Sequence, residues 1–388
     1  MKIVHICQYY NDGYGYQENL LPRYQKKLGH DVCVITSDRK SYLAGEMKPK
    51  VVGTGQFEDN GVRIKRLQIS GEFKGRYVRL TNLTMHLENE KPDYIFHHGL
   101  TATSLITAAK YKQKHPSVFL AADNHADYHN SGQHALWRLL YYRGLCRQKI
   151  QKIADYVDVF FSMTPGSKAF AERELGVPSE KHRLLYLGAD VDTNYFSSEW
   201  REKIRKNLGF DEKDLVLITA GKIDRKKKTT NIIRALKDIS SDNVKLMIVG
   251  TIERSYEQEL NELIKKDPRI RKIGWVEANE LYRYFSAADI AVFPGGQSAI
   301  WQQAISCELP VILKYWPGIE YLIDRNNGIF LFSDDPRELR QYLDFLTFNE
   351  NSDSLRSMKS GAIRERDEVL SYELIAKQTL EVFDGNHE

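Results

Sequence analysis

Short apolar runs alternate with longer amphipathic stretches along most of the chain. The first run covers residues 2–7, a helical pattern follows over 18–28, and the next run covers 31–36. Runs of this length suit strands that are buried on both faces of a sheet. Strand–helix–strand units form parallel sheets with right-handed crossovers. The pattern therefore predicts an α/β protein.

The same alternation starts a second time after a loose, polar stretch that ends near Trp200. A chain of 388 residues is also longer than a single core usually supports. We therefore predict two domains, at 1–200 and 201–369. The last helical pattern, at 372–383, should cross back, so that 370–388 packs with the first domain.

One strand–turn–helix pattern of the second domain has an unusual charge. An apolar run at 215–218 ends before Gly221, and helical spacing resumes over 229–236. Such a turn lies at the carboxyl end of a parallel sheet, where α/β folds bind ligands. Cations there oppose the helix dipole, which favours a bound anion such as a diphosphate, although a solvated lysine-rich loop is an alternative. The turn contains five cations, namely Lys222, Arg225, Lys226, Lys227 and Lys228.

Two successive strands of the first domain end in histidine. The apolar run at 93–96 leads into His97 and His98, and the run at 118–122 leads into a polar tip that contains His125 and Asp127. Because carboxyl ends of parallel strands share one edge of the sheet, these side chains predict a site there. A single such histidine is more often structural, and the repetition favours function.

The loop after the first strand contains Gly13 and Gly15 but lacks the third glycine of G-x-G-x-x-G. No G-x-x-x-x-G-K-[ST] sequence occurs in the chain. A dinucleotide site of the Rossmann type and a P-loop are therefore poorly supported.

Composition restricts the classes further. The net charge is only +4, which does not indicate a nucleic-acid partner. The four cysteines are scattered without paired spacing, which argues against a zinc site or disulfides and for a reducing compartment. Met1 leads directly into a strand, and no run of 18 apolar residues occurs. We therefore expect a cytoplasmic protein.

Residues 137–153 combine apolar and aromatic side chains with five cations, and 73–79 form a second basic-aromatic patch. One interpretation is a core-packing face with a solvated back. The other is an interfacial helix, with Trp137, Tyr141 and Tyr142 at the headgroup level and the cations on anionic lipid. The second interpretation predicts a peripheral position on the inner face of the plasma membrane.

The order of these features resembles glycosyltransferase family 4, the retaining sugar transferases of the GT-B fold. The similarity comprises the glycine loop followed by 28–32, Gly221 with Lys222 and Lys227, and the segments 273–276 and 288–294. The resemblance implies two facing Rossmann-like domains with a deep interdomain cleft and a C-terminal helix that crosses back. It covers nearly the whole chain.

The resemblance also implies roles for individual residues. The implied catalytic residues are His125, Lys222 and Lys227. The implied donor-binding residues are Gly13, Gly15, Gly221, Trp275, Val276, Gly296, Gln297, Ser298, Ala299 and Gln303. The implied acceptor-binding residues are Tyr16, Gln17, His98 and Asp127.

The chain departs from the family where two glutamates usually stand seven residues apart. Gln303 falls at the second position, and Gly295 falls near the first. An amide oxygen can accept a hydrogen bond from a ribose hydroxyl but has no charge. We therefore expect that nucleotide binding is retained, and that Gln297 takes part of the role of the missing carboxylate. Lys228 stands where the family has glycine.

The resemblance implies a retaining transferase that moves a sugar from a nucleoside diphosphate to a glycan or lipid-linked acceptor. We expect the donor to be a UDP-sugar. The product would belong to cell-surface polysaccharide or glycoconjugate synthesis. Lys222 and Lys227 would stabilise the departing diphosphate, so we expect no cofactor and no metal. Asp190 and Asp192 resemble an acidic metal motif, but they fall in a loop of the family. A GT-B sugar-nucleotide epimerase and a non-catalytic sugar-nucleotide-binding protein are the alternatives.

Overall fold

The computed structural model describes residues 1–41, 49–73, 77–347 and 352–385. The chain divides into two compact units. Unit 1 comprises Met1–Tyr186 and Tyr372–Glu388, and unit 2 comprises Leu187–Ser371. The return of the C-terminal helix to the first unit agrees with the sequence-based prediction.

The division between the units lies 14 residues before the predicted boundary at 200/201, since unit 2 begins at Leu187. The polar stretch before Trp200 packs with unit 2 instead of ending the first domain. Its Ser197 N–H donates to the Ser286 hydroxyl at 3.0 Å, and the Tyr195 ring lies 4.9 Å from the Tyr282 ring.

Unit 1 is built on an eight-stranded sheet in the order β12-β11-β10-β9-β1-β2-β6-β5. Adjacent strands in this sheet run parallel, except that β5 runs antiparallel to β6. Two further antiparallel pairs, β3 with β4 and β7 with β8, lie outside this sheet. The strands are β1 (Lys2–Ile6), β2 (Asp31–Ser37), β3 (Arg39–Lys40), β4 (Lys50–Val51), β5 (Gly55–Asp59), β6 (Val62–Leu67), β7 (Ile69–Phe73), β8 (Tyr77–Leu80), β9 (Tyr94–His97), β10 (Phe119–Asn124), β11 (Val159–Ser162) and β12 (His182–Leu184).

The helices of unit 1 cover the sheet and form its apolar core. Between α4 and α5 the chain continues as a π-helical segment, Arg138–Cys146. The helices are α1 (Gln17–Lys27), α2 (Leu83–Glu90), α3 (Ser104–Lys114), α4 (Ala135–Trp137), α5 (Arg147–Ile153) and α6 (Pro165–Phe170). The edge strand of this sheet, β12, begins at His182 and pairs with β11.

Unit 2 is built on a six-stranded, entirely parallel sheet in the order β15-β14-β13-β16-β17-β18. The run that was predicted from 215 forms its central strand, and every residue of it after Leu215 is buried. The strands are β13 (Leu215–Ala220), β14 (Val244–Val249), β15 (Ile270–Gly274), β16 (Ile290–Phe293), β17 (Val311–Lys314) and β18 (Gly328–Leu331).

The helices of unit 2, α7 to α13, alternate with its strands as predicted. The last helix of the chain, α14, belongs to unit 1. This helix, α14, contacts α1 through the stacked rings of Tyr372 and Tyr24, whose centroids lie 6.1 Å apart. The helices are α7 (Ser198–Leu208), α8 (Thr229–Lys237), α9 (Arg254–Ile264), α10 (Leu281–Ala287), α11 (Ile300–Ser306), α12 (Pro336–Thr347), α13 (Ser352–Glu365) and α14 (Tyr372–Asp384).

The strand orders decide which loops meet. In unit 1 the carboxyl ends of β1, β9 and β10 are neighbours, and in unit 2 those of β13, β14 and β16 are close together. The described part of the chain contains no helix that is long and apolar enough to cross a membrane.

Candidate functional site

The carboxyl ends of the central strands of unit 2 are packed backbone against backbone. Gly221 follows β13 with φ +111°, and Gly250 follows β14 with φ +128°. A Cβ atom on Gly250 would lie 1.9 Å from the carbonyl oxygen of Gly221. The Gly250 N–H donates to the carbonyl of Gly274 at 2.6 Å, which ties β15 to the same edge. Glycine is therefore required where these strands end.

Lys227 connects the cationic turn to the loop after β16. Its ammonium group donates to the carbonyl oxygens of Gly296 at 2.9 Å and Gln297 at 3.1 Å. Burial lowers the pKa of Lys227, and the charge of Asp224 opposes that shift. An ammonium group has three N–H donors, so one remains for an anion. The structure thus brings together three residues that the sequence placed in one site.

The loop after β16 has no room for a side chain at Gly295, two residues past the end of the strand. A Cβ atom on Gly295 would lie 2.1 Å from the carbonyl oxygen of Lys226 and 2.6 Å from the Cα atom of Lys227. The next residue, Gly296, donates its N–H to the same Lys226 carbonyl at 3.0 Å. The cationic turn therefore occupies the space that a carboxylate side chain at position 295 would need.

The five cations of the turn do not form one anion site. Lys228 adopts the left-handed conformation with φ +51°, and its ammonium group lies 2.5 Å from a carboxylate oxygen of Asp334. Arg225 forms an ion pair with Glu259. Lys222 and Lys226 are exposed. The interpretation of five cations around one anion is wrong, because at least two of them pair with carboxylates.

The other predicted donor residues lie around this edge. Trp275 directly follows β15 and is 65% exposed, with Val276 half-buried after it. Ser298 and Ala299 precede α11, and Gln303 is half-buried on that helix. The roles assigned to these residues stay predictions.

Unit 1 holds a group of histidines at its own carboxyl edge. The Nε2 atom of His125 lies 3.5 Å from Oδ2 of Asp123, and the His125 side chain is 43% exposed. The same Oδ2 atom lies 2.9 Å from Nδ1 of His98. The second oxygen of Asp123 accepts the Gly99 N–H at 2.7 Å. Asp123 is fully buried, so these contacts fix its position.

The protonation of His125 depends on Asp123. Burial of the ring lowers the pKa of His125, but the charge of Asp123 and the hydrogen bond to it raise that pKa more. Burial raises the pKa of Asp123, whereas the charges of His98 and His125 bring it well below its usual value. The pair therefore consists of an ionised carboxylate and an imidazole that binds its proton more tightly than usual.

His98 differs from its predicted role as an acceptor-binding residue. Its Nε2 atom lies 3.1 Å from Nδ1 of His5, and its Nδ1 atom contacts Asp123. Both ring nitrogens are therefore engaged within the protein. Asp127, also predicted to bind the acceptor, accepts the N–H groups of His129 and Asn130 at 2.8 and 2.6 Å and stabilises a turn.

The glycine loop after β1 is held by Asp59, which the sequence did not single out. Gly13 has φ +76°, and its N–H donates to the Asp59 carboxylate at 3.1 Å. Gly15 and Tyr16 are exposed. Gln17 is buried, and neither atom of its side-chain amide has a partner among the described residues. A buried amide without partners costs about 1–3 kcal/mol, which fits a contact with a ligand.

The helical stretch at 135–153 has both buried aromatic and exposed apolar side chains. Tyr141 and Tyr142 are buried in the core, so they do not lie at a membrane surface. The guanidinium group of Arg143 donates to Glu174 at 2.6 Å, and Lys149 donates to the carbonyl of Ala102 at 3.1 Å. Part of the predicted basic-aromatic patch, residues 74–76, lies outside the described residues. Five apolar side chains of the stretch are exposed, namely Leu136, Trp137, Leu139, Leu140 and Leu145.

Two residues near His125 escaped sequence analysis for different reasons. Asp123 stands two positions before His125 at the end of a buried strand, so the spacing contained a usable signal. Gln25 lies on α1 and reaches the histidines through His5, and its helical position gave no signal. No cluster of three or more metal-ligating side chains lies in the described part of the chain, and the absence of a metal requirement stays a prediction.

Comparisons with known proteins bear on the family and the fold of the chain. Residues 16–188 match the family model described as "Glycosyl transferase 4-like domain", and residues 200–364 match "Glycosyl transferases group 1". A D-inositol 3-phosphate glycosyltransferase of Nocardioides sp. is 25% identical over 227 residues, which cover 53% of this chain and 49% of that protein. The chain spans about half the length of the curated relatives it matches.

Solved structures resemble the whole chain. HepE of Anabaena, crystallised with UDP, superposes with a TM-score of 0.72 at 16% identity and covers 99% of this chain and 100% of its own. WaaG, a glycosyltransferase involved in lipopolysaccharide biosynthesis, gives a TM-score of 0.63 at 16% identity over 97% and 98% of the two chains. These likenesses establish the fold. With both domain models matched in order, the chain belongs to the GT-B glycosyltransferases of group 1.

Proposed function

We propose that this protein transfers a sugar, with retention of configuration, from a UDP-sugar to a glycan or lipid-linked acceptor. The observation that carries the proposal is the position of Lys227, whose partly buried ammonium group joins the cationic turn to the loop at Gly296. The UDP bound to HepE supports uridine as the base. Trp275 is the exposed aromatic residue beside which we place that base.

In the proposed reaction the bond between the anomeric carbon and the diphosphate breaks, and negative charge grows on the departing diphosphate. Lys227 and the exposed Lys222 stabilise that charge. The acceptor hydroxyl attacks the face from which the diphosphate leaves, and its proton passes to the departing phosphate. His125 contacts the donor sugar or the phosphate. No cofactor supplies chemistry in this scheme, because the protein stabilises charge through its own cations.

The test is a panel of nucleoside diphosphate sugars with the purified protein, in which release of the nucleoside diphosphate and the identity of the sugar are measured with and without acceptor. Transfer, or slow hydrolysis without acceptor, supports the proposal. A free sugar-nucleotide isomer formed without acceptor would assign the protein as an epimerase. Binding without any turnover would assign it as a sugar-nucleotide-binding protein.

We expect Gln303 to hold the ribose of the donor. Replacing it with glutamate should keep or improve UDP affinity, whereas Gln303→Leu should lower that affinity by about fivefold, the value of one net hydrogen bond of roughly 1 kcal/mol. Isothermal titration calorimetry with UDP measures both variants against the wild type. Equal affinity for all three proteins would remove Gln303 from the site.

A lipid-linked acceptor agrees with the exposed apolar side chains at 136–145. Leu139 and Leu140 are 56% and 60% exposed, although their segment also contributes buried tyrosines to the core. Each leucine that enters a bilayer contributes roughly 1.5–3 kcal/mol. We therefore propose that this stretch rests on the membrane that holds the acceptor, with exposed cations such as Lys152 attracting anionic lipid.

Vesicle sedimentation tests this orientation. We expect binding to vesicles that contain anionic lipid and a loss of more than about tenfold in the double variant Leu139→Ser/Leu140→Ser. Val51→Ser is the control, because it removes an exposed apolar side chain elsewhere in unit 1. A wild-type protein that ignores anionic vesicles at low salt would indicate a soluble acceptor.

A further inference from the structure

A line of buried polar side chains connects the C-terminal helix to His125. It begins at Thr379 on α14 and continues through Gln25 on α1 to His5 of β1. From there it passes to His98, which directly follows β9, and reaches the carboxylate of Asp123. Thr379, Gln25 and Asp123 are fully buried. The successive distances are 2.9 Å (Thr379 Oγ1 to Gln25 Nε2), 2.6 Å (Gln25 Oε1 to His5 Nε2), 3.1 Å (His5 Nδ1 to His98 Nε2) and 2.9 Å (His98 Nδ1 to Asp123 Oδ2).

The first link has only one possible direction. The Thr379 hydroxyl donates its single proton to the backbone carbonyl of Ala376 at 2.7 Å, and a carbonyl can only accept. Thr379 Oγ1 must therefore accept from Gln25, so the amide nitrogen of Gln25 faces Thr379. Its amide oxygen then faces His5 Nε2 and must accept a proton from it.

The direction continues through the two histidines. Burial, together with the neighbouring charge of His98, lowers the pKa of His5 to about 3, so the His5 ring is neutral. With its proton on Nε2, His5 offers only a lone pair at Nδ1, and His98 must donate from Nε2. The other nitrogen of His98 faces the ionised Asp123, which can only accept.

We propose that His98 is held as an imidazolium, with a proton on each ring nitrogen, because α14 fixes the direction of every hydrogen bond up to it. His98 is then a positioning residue. The positive charge of His98 balances the negative charge of Asp123. Asp123 then still orients the catalytic His125, but it raises the pKa of His125 less than an unbalanced carboxylate would. The link to His125 rests on the proposed transfer reaction, whereas the protonation of His98 does not.

Two further titratable groups, His97 and Cys7, lie near this line and do not supply a positive charge to balance Asp123. Burial and the charge of His98 lower the pKa of the adjacent His97 to about 3. Burial and the charge of Glu18 raise the pKa of Cys7 to about 12. Both groups are therefore neutral at physiological pH. Within the described residues, His98 and the half-exposed His125 are the cation candidates that contact Asp123.

The geometry also identifies Thr379→Val as the variant in which the direction of the hydrogen bonds to His98 should no longer be fixed. In Thr379→Val the Gln25 amide has no acceptor on α14, so it can turn and donate to His5 Nε2. His5 then carries its proton on Nδ1 and donates to His98, which keeps only the proton that faces Asp123. Thr379→Ser retains the hydroxyl and with it the original direction.

Nitrogen-15 NMR of the full-length protein with labelled histidine measures the protonation directly, without substrate. At about pH 8, above the usual histidine pKa of roughly 6.5, we expect two protonated nitrogens on His98 in the wild type and in Thr379→Ser, and one in Thr379→Val. The His98 signals are assigned by their loss in His98→Asn. A single protonated nitrogen on His98 in the wild type overturns the proposal, as does an unchanged His98 in a folded Thr379→Val protein.

A second measurement connects the line to the reaction. Because the unbalanced Asp123 charge would bind the His125 proton more tightly, Thr379→Val should move the limb of the pH–rate profile set by His125 upward by roughly one unit. Thr379→Ser should leave that limb in place. An unmoved limb alongside the expected NMR result would overturn the coupling to His125 and leave the protonation of His98 established.

Discussion

Lys227→Ala is expected to lower the transfer rate by about tenfold to a hundredfold. A charge-assisted hydrogen bond is worth roughly 1.5–3 kcal/mol. The lost ammonium group contacts the loop after β16 and, in the proposed reaction, also the departing phosphate. The wild-type contacts to the carbonyl oxygens of Gly296 and Gln297, at 2.9 and 3.1 Å, show that this loop depends on the same group. Steady-state kinetics with a UDP-sugar measures the loss.

Two controls separate charge from position. Lys226→Ala removes an exposed cation of the same turn and should change the rate little. Lys227→Arg keeps the charge in a bulkier, planar group and should retain part of the rate. If Lys227→Ala transferred sugar as fast as the wild type, the assignment of the phosphate site would be wrong.

The pH profile gives an independent check on Lys227. Its pKa is lowered by burial, and a lysine is charged only below its pKa. The rate should therefore fall on the alkaline side at a lower pH than an ordinary lysine would cause, and Lys227→Arg should remove that limb. An alkaline limb that is identical in both proteins would exclude Lys227 as its origin.

Periodicity predicted the fold closely, since it depends on local patterns. The apolar runs at 31–36 and 215–218, for example, form β2 and β13. The division of the chain was misplaced because the polar stretch before Trp200 resembles a linker, whereas its contacts, such as Ser197 to Ser286, join residues 89 positions apart. Such long-range hydrogen bonds leave no local signal.

The candidate site was predictable in its residue types and less so in its partners. The sequence placed five cations at one turn, but it could not indicate that Lys228 pairs with Asp334 while Lys227 turns to the loop at Gly296. Likewise, His98 was placed at the correct edge, yet its partner His5 lies 93 residues away. Packing determines which polar groups form hydrogen bonds within the protein. The polar groups without such partners remain available for a ligand.

Gly250→Ala is expected to destabilise unit 2 by about 3 kcal/mol or more and to abolish UDP binding. The added Cβ atom would lie 1.9 Å from the Gly221 carbonyl oxygen, and φ is +128°, so both the space and the backbone conformation exclude a side chain. Overpacking alone costs typically 1–3 kcal/mol, and strain of the backbone adds to it. Relief would require the ends of β13 and β14 to separate, which moves the turn that holds Lys227.

Gly209→Ala is the matched control for that substitution. Gly209 follows α7 with φ +70°, and nothing lies within 4 Å of a Cβ atom built on it. The control therefore introduces backbone strain without a clash and should cost about 1–2 kcal/mol while UDP still binds. Urea unfolding and calorimetry with UDP measure both variants. Equal stability and equal UDP affinity of the two variants would contradict the close backbone packing at Gly250, and with it the conclusion that this edge of unit 2 is shaped by the contact between Gly221 and Gly250.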